Sequence, residues 1–382
     1  MRILFFLNVL GGGGAEMHFV RMASELSAHG IEPVFATIRG AGAYESLLAP
    51  AIEHHVLDSG RSKSTLRKLA ASVKPLAKLI DEIKPDIVCP VLTLTTIPAI
   101  LATRRARHPA RIVLSIQNAL GKQVFERTTP LALVQRALIL SLWPKTDGII
   151  ALSRGVADDI AEHVPAAVKL VTVVHNCGKP MPKEIDRVET VSPDRPTDRH
   201  VLVAVGRLTE QKDYPTMFAA MQAVTTKPAP LLRILGTGED EEDLKQLVET
   251  KGLADRVEFL GFRDDALAHM RAADLFVLSS RWEGFANVIV EAMAMGTAVV
   301  ATDCPHGPAE IITDGLNGRL VPVRNPKALA RVIDEVLADP KSRADMAAAG
   351  VVRAEDFGVS AIAGKYATSF RNFSASSAAE LV

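Results

Sequence analysis

Residues 170–206, LVTVVHNCGKPMPKEIDRVETVSPDRPTDRHVLVAVG, decide how the chain is divided. They begin and end in short apolar β-rich runs. Between these, GKPMPKEIDRVETVSPDRPTDR is rich in proline and charge and poor in large apolar groups, which is the composition of a linker. At 382 residues the chain is more than twice a typical domain of roughly 150, and 48% apolar residues suffice for two cores. The expected organisation is an N-terminal domain over 1–177, a linker over 178–198 and a second domain over 199–358. Val359 to Phe373 has helical apolar spacing but no strand after it, so 359–382 is expected to cross back onto the first domain.

On both sides of the linker, short strands alternate with longer helical segments, the signature of βαβ units and parallel sheets. In the first half the predicted strands are 2–7, 33–37, 54–57, 87–91, 111–116, 148–152 and 170–174, with helices between them, including 16–28, 64–83, 131–142 and 154–163. In the second half the strands read VLVAV, LLRIL, VEFL, LFVL, AVVA and RLV. Near-continuous Ile, Leu and Val imply sheets covered on both faces. The predicted fold class is α/β, two doubly wound Rossmann-like domains facing across a cleft, with ligands at the carboxyl ends of the strands.

Composition excludes several function classes. The 44 basic and 44 acidic residues cancel, so neither a nucleic-acid coat nor an acidic disordered protein fits, and no nucleic-acid partner is expected. Three cysteines, Cys89, Cys177 and Cys304, show no CxxC or zinc-type spacing and point to a reducing, cytoplasmic setting. The N-terminal apolar run is read as a buried strand rather than a signal peptide, because Asn8 interrupts it and GGGGAE follows. The uncharged stretch from Ile87 to Thr103 is broken by Pro90 and Pro98 and is too polar to span a bilayer.

The charge is distributed unevenly: residues 51–145 hold 15 basic and 6 acidic side chains, a net +9. Six of the cations fall in RSKSTLRKLAASVKPLAK (61–78), and LALVQRALILSLW (131–143) is unusually apolar. Either both are ordinary helices packed on their sheet, or they form a docking face on an anionic membrane, with Lys63, Arg67, Lys68 and Lys74 as its cations.

The candidate chemistry lies at predicted strand ends. Gly11–Gly14 follow the first strand and precede a helix, where bare backbone N–H groups can approach a phosphate or sugar. The pattern is not GxGxxG with an acidic partner, so a dinucleotide site is not indicated. VLVAV runs into Gly206, Arg207 and then Lys212, two cations suited to a diphosphate whose departing charge must be stabilised. In RWEGFANVIVE, Glu283 lies in a loop and Glu291 on the helix starting near Asn287. The two carboxylates can hold hydroxyls at opposite ends of a nucleotide sugar, with the amides of Gly284, Phe285, Ala286 and Asn287 facing the phosphates. No DxD pair occurs, and the acidic run Glu239–Asp243 stands at a helix start, so neither a metal nor another cofactor is expected. His175 and Cys177 are read as part of the turn at the domain crossing rather than as metal ligands.

VGRLTEQKDY, the E-x7-E segment from Glu283 to Glu291 and DCPHGPAEII resemble the retaining GT-B glycosyltransferases of family 4, as do GGGGAE, ALSRGVADDI and KYATSF in their order. The resemblance implies a nucleotide-sugar donor, most simply a UDP-sugar, held by the second domain, and a glycan or lipid-linked acceptor on the first. It implies roles residue by residue: Arg207 and Lys212 on the diphosphate, Glu291 on the ribose, Glu283 and the following amides on the transferred sugar. Arg263 in LGFRDD would lie near the base, and Gly13 and Gly14 would touch the donor from the opposite domain. Where the family often has His, this chain has Gln117 followed by Asn118, and Gln117 offers only hydrogen bonds to sugar or acceptor. The implied setting is cell-surface polysaccharide or glycolipid synthesis in the cytoplasm, peripherally on the inner membrane face. Rival readings are an epimerase or phosphorylase of the same fold, or a nucleotide-sugar binding protein without turnover.

Overall fold

The structure, a computed structural model, describes all residues except 12, 41, 58–64, 181–184, 187, 189–192 and 376–382, together with the side chains of 65 and 66. The chain divides into two compact units, residues 1–177 with 359–382, and residues 178–358.

In the first unit β1 (Arg2–Leu7), α1 (Gly14–Ala28), β2 (Glu32–Thr37), β3 (Glu53–Val56), α2 (Thr65–Ile83), β4 (Ile87–Pro90), α3 (Thr93–Arg105), β5 (Arg111–Ile116), α4 (Pro130–Leu142), β6 (Gly148–Ala151), α5 (Arg154–His163) and β7 (Val171–Val173) follow in order. The seven strands form a parallel sheet ordered β3-β2-β1-β4-β5-β6-β7. Five consecutive residues of β1, from Ile3 to Leu7, are wholly buried, as a central strand covered on both faces requires. Helix α5 starts at a side-chain cap, Ser153 Oγ accepting from Val156 N at 3.1 Å.

The second unit contains β8 (Val201–Val205), α6 (Tyr214–Ala223), β9 (Leu231–Leu235), α7 (Glu241–Thr250), β10 (Val257–Gly261), α8 (Ala266–Ala272), β11 (Leu275–Leu278), α9 (Asn287–Ala294), β12 (Val299–Thr302), α10 (Pro308–Ile311), β13 (Arg319–Val321), α11 (Pro326–Ala338) and α12 (Pro340–Glu355). Its six parallel strands are ordered β10-β9-β8-β11-β12-β13. All six strands expected from the hydrophobic pattern form, and Asn325 and Asp339 cap α11 and α12 ahead of a proline.

The chain then enters α13 (Val359–Ala375), which belongs to the first unit and packs on α1. Phe370 stands 6.1 Å from Phe5, and Tyr366 5.8 Å from Phe19, centroid to centroid. Ile362, Ala363, Tyr366, Ala367 and Phe370 are fully buried there. Each large apolar side chain so buried contributes about 1.5–3 kcal/mol.

One helix has bounds that the hydrophobic pattern does not mark. Residues 93–105, which threonines and Pro98 disguise, form α3. The threonines fit a helix because their hydroxyls turn back onto its carbonyls: Thr95 Oγ1 donates to Val91 O at 2.6 Å and Thr96 Oγ1 to Thr93 O at 2.8 Å. No helix among the described residues is long and apolar enough to cross a membrane.

Candidate donor site

In each unit the strand order reverses once, between β1 and β4 in the first and between β8 and β11 in the second. Loops leaving the carboxyl ends of such a strand pair diverge and open a crevice, the usual ligand position of doubly wound sheets. In the second unit, the loops after β8 and β11 carry Arg207, Lys212 and Glu283.

These two loops are stitched together. Arg281 N donates to Gln211 O at 2.8 Å, Gln211 Nε2 to Trp282 O at 2.9 Å, and Ser279 Oγ to Lys212 O at 2.7 Å. Arg281 also pairs with Glu210 at 2.6 Å and with Asp213 at 3.3 Å. The result is a buried ion pair, Lys212 Nζ to Glu283 Oε1 at 2.6 Å, whose side chains are only 13% and 7% exposed. Ser280 Oγ donates to the same carboxylate oxygen at 2.6 Å. Arg207, by contrast, is exposed, and its guanidinium has no hydrogen bond or ion pair among the described residues.

The loop after Glu283 enters α9 through Ala286, whose φ is +67°. No side chain caps the helix at this position, so the amides of Gly284–Asn287 stand where the macrodipole favours an anion. Glu291 lies one turn further along α9 and is partly exposed. Burial pushes the Cys304 thiol up to about 12; the neighbouring Glu283 charge adds to that rise and Lys212 opposes it. Burial, and then Glu283, also raises the Tyr214 phenol, which donates to Gly206 O at 3.3 Å.

Glycines that sequence reading passed over shape this end of the sheet. Gly236, at φ +136°, lies so close to β8 that an added Cβ would stand 2.0 Å from Gly206 O, and one on Gly238 would stand 2.1 Å from Leu208 O. Only residues without a side chain fit there. Arg263 follows β10, is salt-bridged to Asp265 at 2.6 Å, and sits next to Phe262, which is 68% exposed. That exposed aromatic was also missed, since GF in a strand-end sequence reads as ordinary core.

In the first unit, Gly13 and Gly14 stand at the start of α1, again with no side-chain cap. Gly11 approaches Ala43 so closely that a Cβ would lie 2.8 Å from its nitrogen. Across the switch point Leu92, after β4, adopts φ +73°, and the next residue, Thr93, is 4% exposed. Gln117 is 3% exposed and donates to Ser115 Oγ at 2.9 Å, whereas Asn118 is half-buried.

The proposed docking cations are only partly described. Lys63 lies outside the described residues; Arg67 and Lys74 are exposed on α2, and Lys68 is half-buried. On α4, Leu131, Leu133, Val134 and Leu140 are 47–57% exposed, while Ala132, Ile139 and Leu142 face the core. Arg136 on the same helix donates to Phe125 O and Arg127 O.

Cys177 meets His18: its backbone N donates to His18 Nδ1 at 2.9 Å, and its Sγ lies 3.0 Å from the same nitrogen. Among the described residues no three His, Cys, Asp or Glu side chains gather into a metal site.

Two family descriptions match the chain, Glycosyltransferase Family 4 over residues 12–177 and Glycosyl transferases group 1 over residues 187–352. The lipopolysaccharide core biosynthesis glycosyltransferase LpsE of Rhizobium meliloti is 32% identical over 55% of this chain and 60% of its own length. An N-acetylgalactosaminyltransferase of Campylobacter jejuni, named for a diphospho-undecaprenol-linked acceptor, is 29% identical over 56% of each chain. The chain thus spans less than two thirds of these relatives. The structure of Anabaena Alr3699/HepE in complex with UDP superimposes with a TM-score of 0.79 over 97% of this chain and 100% of that one, at 23% identity. That likeness is one of fold.

Proposed function

The chain belongs to the family 4 and group 1 glycosyltransferases, and from that premise we propose that it moves a sugar from a UDP-sugar to a glycan or lipid-linked acceptor, retaining the anomeric configuration. The observation that carries this reading is the Lys212–Glu283 pair at the switch point, beside the exposed Arg207 and the uncapped start of α9. Arg207 and Lys212 take the diphosphate, Glu291 the ribose, and Glu283 with the amides of Gly284–Asn287 the transferred sugar. Gly13 and Gly14 contact the donor, and Arg263 lies at the base. The acceptor is carried by the first unit, near Gln117 and Asn118.

Transfer proceeds on one face of the sugar. The acceptor oxygen bonds to the anomeric carbon as the bond to the diphosphate oxygen breaks, and the departing phosphate takes the acceptor's proton. Glu283 orients the sugar and does not attack it. The two cations and the α9 amides neutralise the leaving group, so no divalent ion is required. The names of the Rhizobium and Campylobacter relatives support cell-surface polysaccharide or glycolipid synthesis as the setting. The exposed apolar side chains of α4 and the exposed cations Arg67 and Lys74 of α2, on the same unit, support docking on an anionic membrane.

The test is release of UDP from a panel of UDP-sugars, with and without lipid-linked and soluble glycan acceptors. Acceptor-dependent release that withstands a chelator is expected, reduced about a hundredfold or more by Glu283→Gln. Acceptor-independent product would favour an epimerase or phosphorylase, and strict dependence on a divalent ion would overturn the metal-free mechanism.

A further inference from the structure

Three non-glycine residues with positive φ lie on the segments that follow β8, β11 and β12: Asp213, Ala286 and His306. The first two stand at helix starts, ahead of α6 and α9. His306 does not. The residue that precedes α10 is Gly307, at φ +114°, so a glycine is used where the helix entry demands one. His306 nevertheless holds φ +67° with a full imidazole, a backbone conformation that histidine enters more readily than most side chains but that costs it more than glycine. Such strain persists only where the surroundings impose it, and it concentrates at functional sites.

The surroundings locate the residue. Pro305 O accepts from Glu283 N at 3.1 Å, and Gly307 lies so close to Phe285 that an added Cβ would stand 2.6 Å from its backbone. The residues on either side of His306 therefore run along Glu283 and Phe285, which brackets His306 against Gly284, a residue with no side chain. The bracket is rigid. Thr302 Oγ1 donates to Ser280 O at 2.6 Å, and Arg353 holds Glu310 O at 2.6 Å and Ile311 O at 3.1 Å while stacking over Phe357. Phe357 in turn packs on Phe285 at 5.2 Å. His306 itself is half-buried, and its ring has no hydrogen-bond partner among the described residues.

We propose that His306 is a specificity-determining residue of the donor site, its imidazole hydrogen-bonding a hydroxyl of the transferred sugar. The proposal rests on the glycosyl-transfer reading above. Glu283, as a carboxylate, only accepts hydrogen bonds, whereas a neutral imidazole offers one donor and one acceptor. Together they read the configuration of neighbouring hydroxyls, a form of recognition that discriminates far more strongly than apolar fit.

The experiment compares the full chain with His306→Gly and His306→Asn. It measures UDP affinity, thermal midpoint, and kcat/KM for UDP-glucose, UDP-galactose and UDP-N-acetylglucosamine. His306→Gly relaxes the backbone, so its midpoint should rise and its UDP affinity stay within about twofold. Its kcat/KM for the best donor should fall at least about tenfold, and the ratio between best and second-best donor should narrow. His306→Asn, at ease in the left-handed region and still polar, should recover part of that loss. An unchanged donor ratio and kcat/KM in His306→Gly would overturn the proposal, as would a loss of UDP affinity equal to the loss of kcat/KM. A wild-type protein that binds UDP but shows no sugar preference would overturn it too. One that takes no nucleotide sugar at all would overturn the glycosyl-transfer reading, and this proposal with it.

Discussion

Arg207 and Lys212 leave the same strand end, yet the guanidinium of one is exposed and without a partner among the described residues while the other is clamped by Glu283 and nearly buried. Removing one member of a buried pair strands the other charge, which typically costs about 3–5 kcal/mol. Lys212→Met should therefore lower the urea midpoint of the second unit markedly. Arg207→Ala should change stability by no more than about 0.5 kcal/mol, yet reduce transfer about a hundredfold. Equal stability losses would show that the pair is not the anchor it is taken for. His18 makes a different prediction. Burial, reinforced by the nearby Arg21 charge, lowers its pKa from 6.5 to about 3, so the folded first unit refuses a proton that the unfolded chain accepts. Above pH 6.5 both states are neutral and nothing is lost; as pH falls from there toward 3, stability declines by about 1.4 kcal/mol per unit from this group. Urea unfolding between pH 7.5 and 5 should be steeper in pH for the wild type than for His18→Gln, even if the variant starts less stable. Parallel curves would mean that the ring titrates normally.

At the scale of the element, α4 separates two kinds of apolar residue. Ile139 and Leu142 are buried and Leu133 and Val134 are more than half exposed, so Leu133→Ser with Val134→Ser should leave the thermal midpoint nearly unchanged. The double variant should nonetheless lose sedimentation with anionic liposomes, as should Arg67, Lys68 and Lys74 changed to Ser, and the wild type should come off in high salt. A wild type that ignores anionic liposomes at low salt would make the acceptor a soluble one. The contrast between α4 and α3 also shows what a sequence discloses about such elements. The strands were legible because buried parallel strands are nearly pure Ile, Leu and Val. The helix over 93–105 was not, because Pro98 and the threonine hydroxyls look like loop chemistry until their back-bonding is seen. Arg207, Lys212 and Glu283 could be named as candidates because charge at a strand end is unusual in itself, and Glu291 because of its spacing from Glu283. Gly236 and Gly238 could not, since each is needed by a carbonyl some thirty residues earlier. The backbone of His306 was equally hidden, because histidine adopts a left-handed conformation only in a minority of cases and nothing local marks this one.

The whole molecule has one contiguous unit and one that is interrupted, since the first unit is completed by 359–382 only after the second has intervened. Deleting 359–382 should therefore unfold the first unit and spare the second, which should still bind UDP and be stabilised by it in a thermal scan. Loss of UDP binding in that truncated chain would show that the second unit does not stand alone. The same interruption has a consequence during synthesis. Phe370 and Tyr366 cover the packed pair of Phe5 and Phe19, but the ribosome delivers them only after all of the second unit has been made. At about 5–20 residues per second that interval is on the order of 10–40 s. Throughout it the nascent first unit carries an open aromatic groove along α1, a surface that invites chaperones and aggregation alike. Chains stalled on the ribosome before Val359 should accordingly be cleaved by protease within the first unit, and those that have emerged past Phe370 should not.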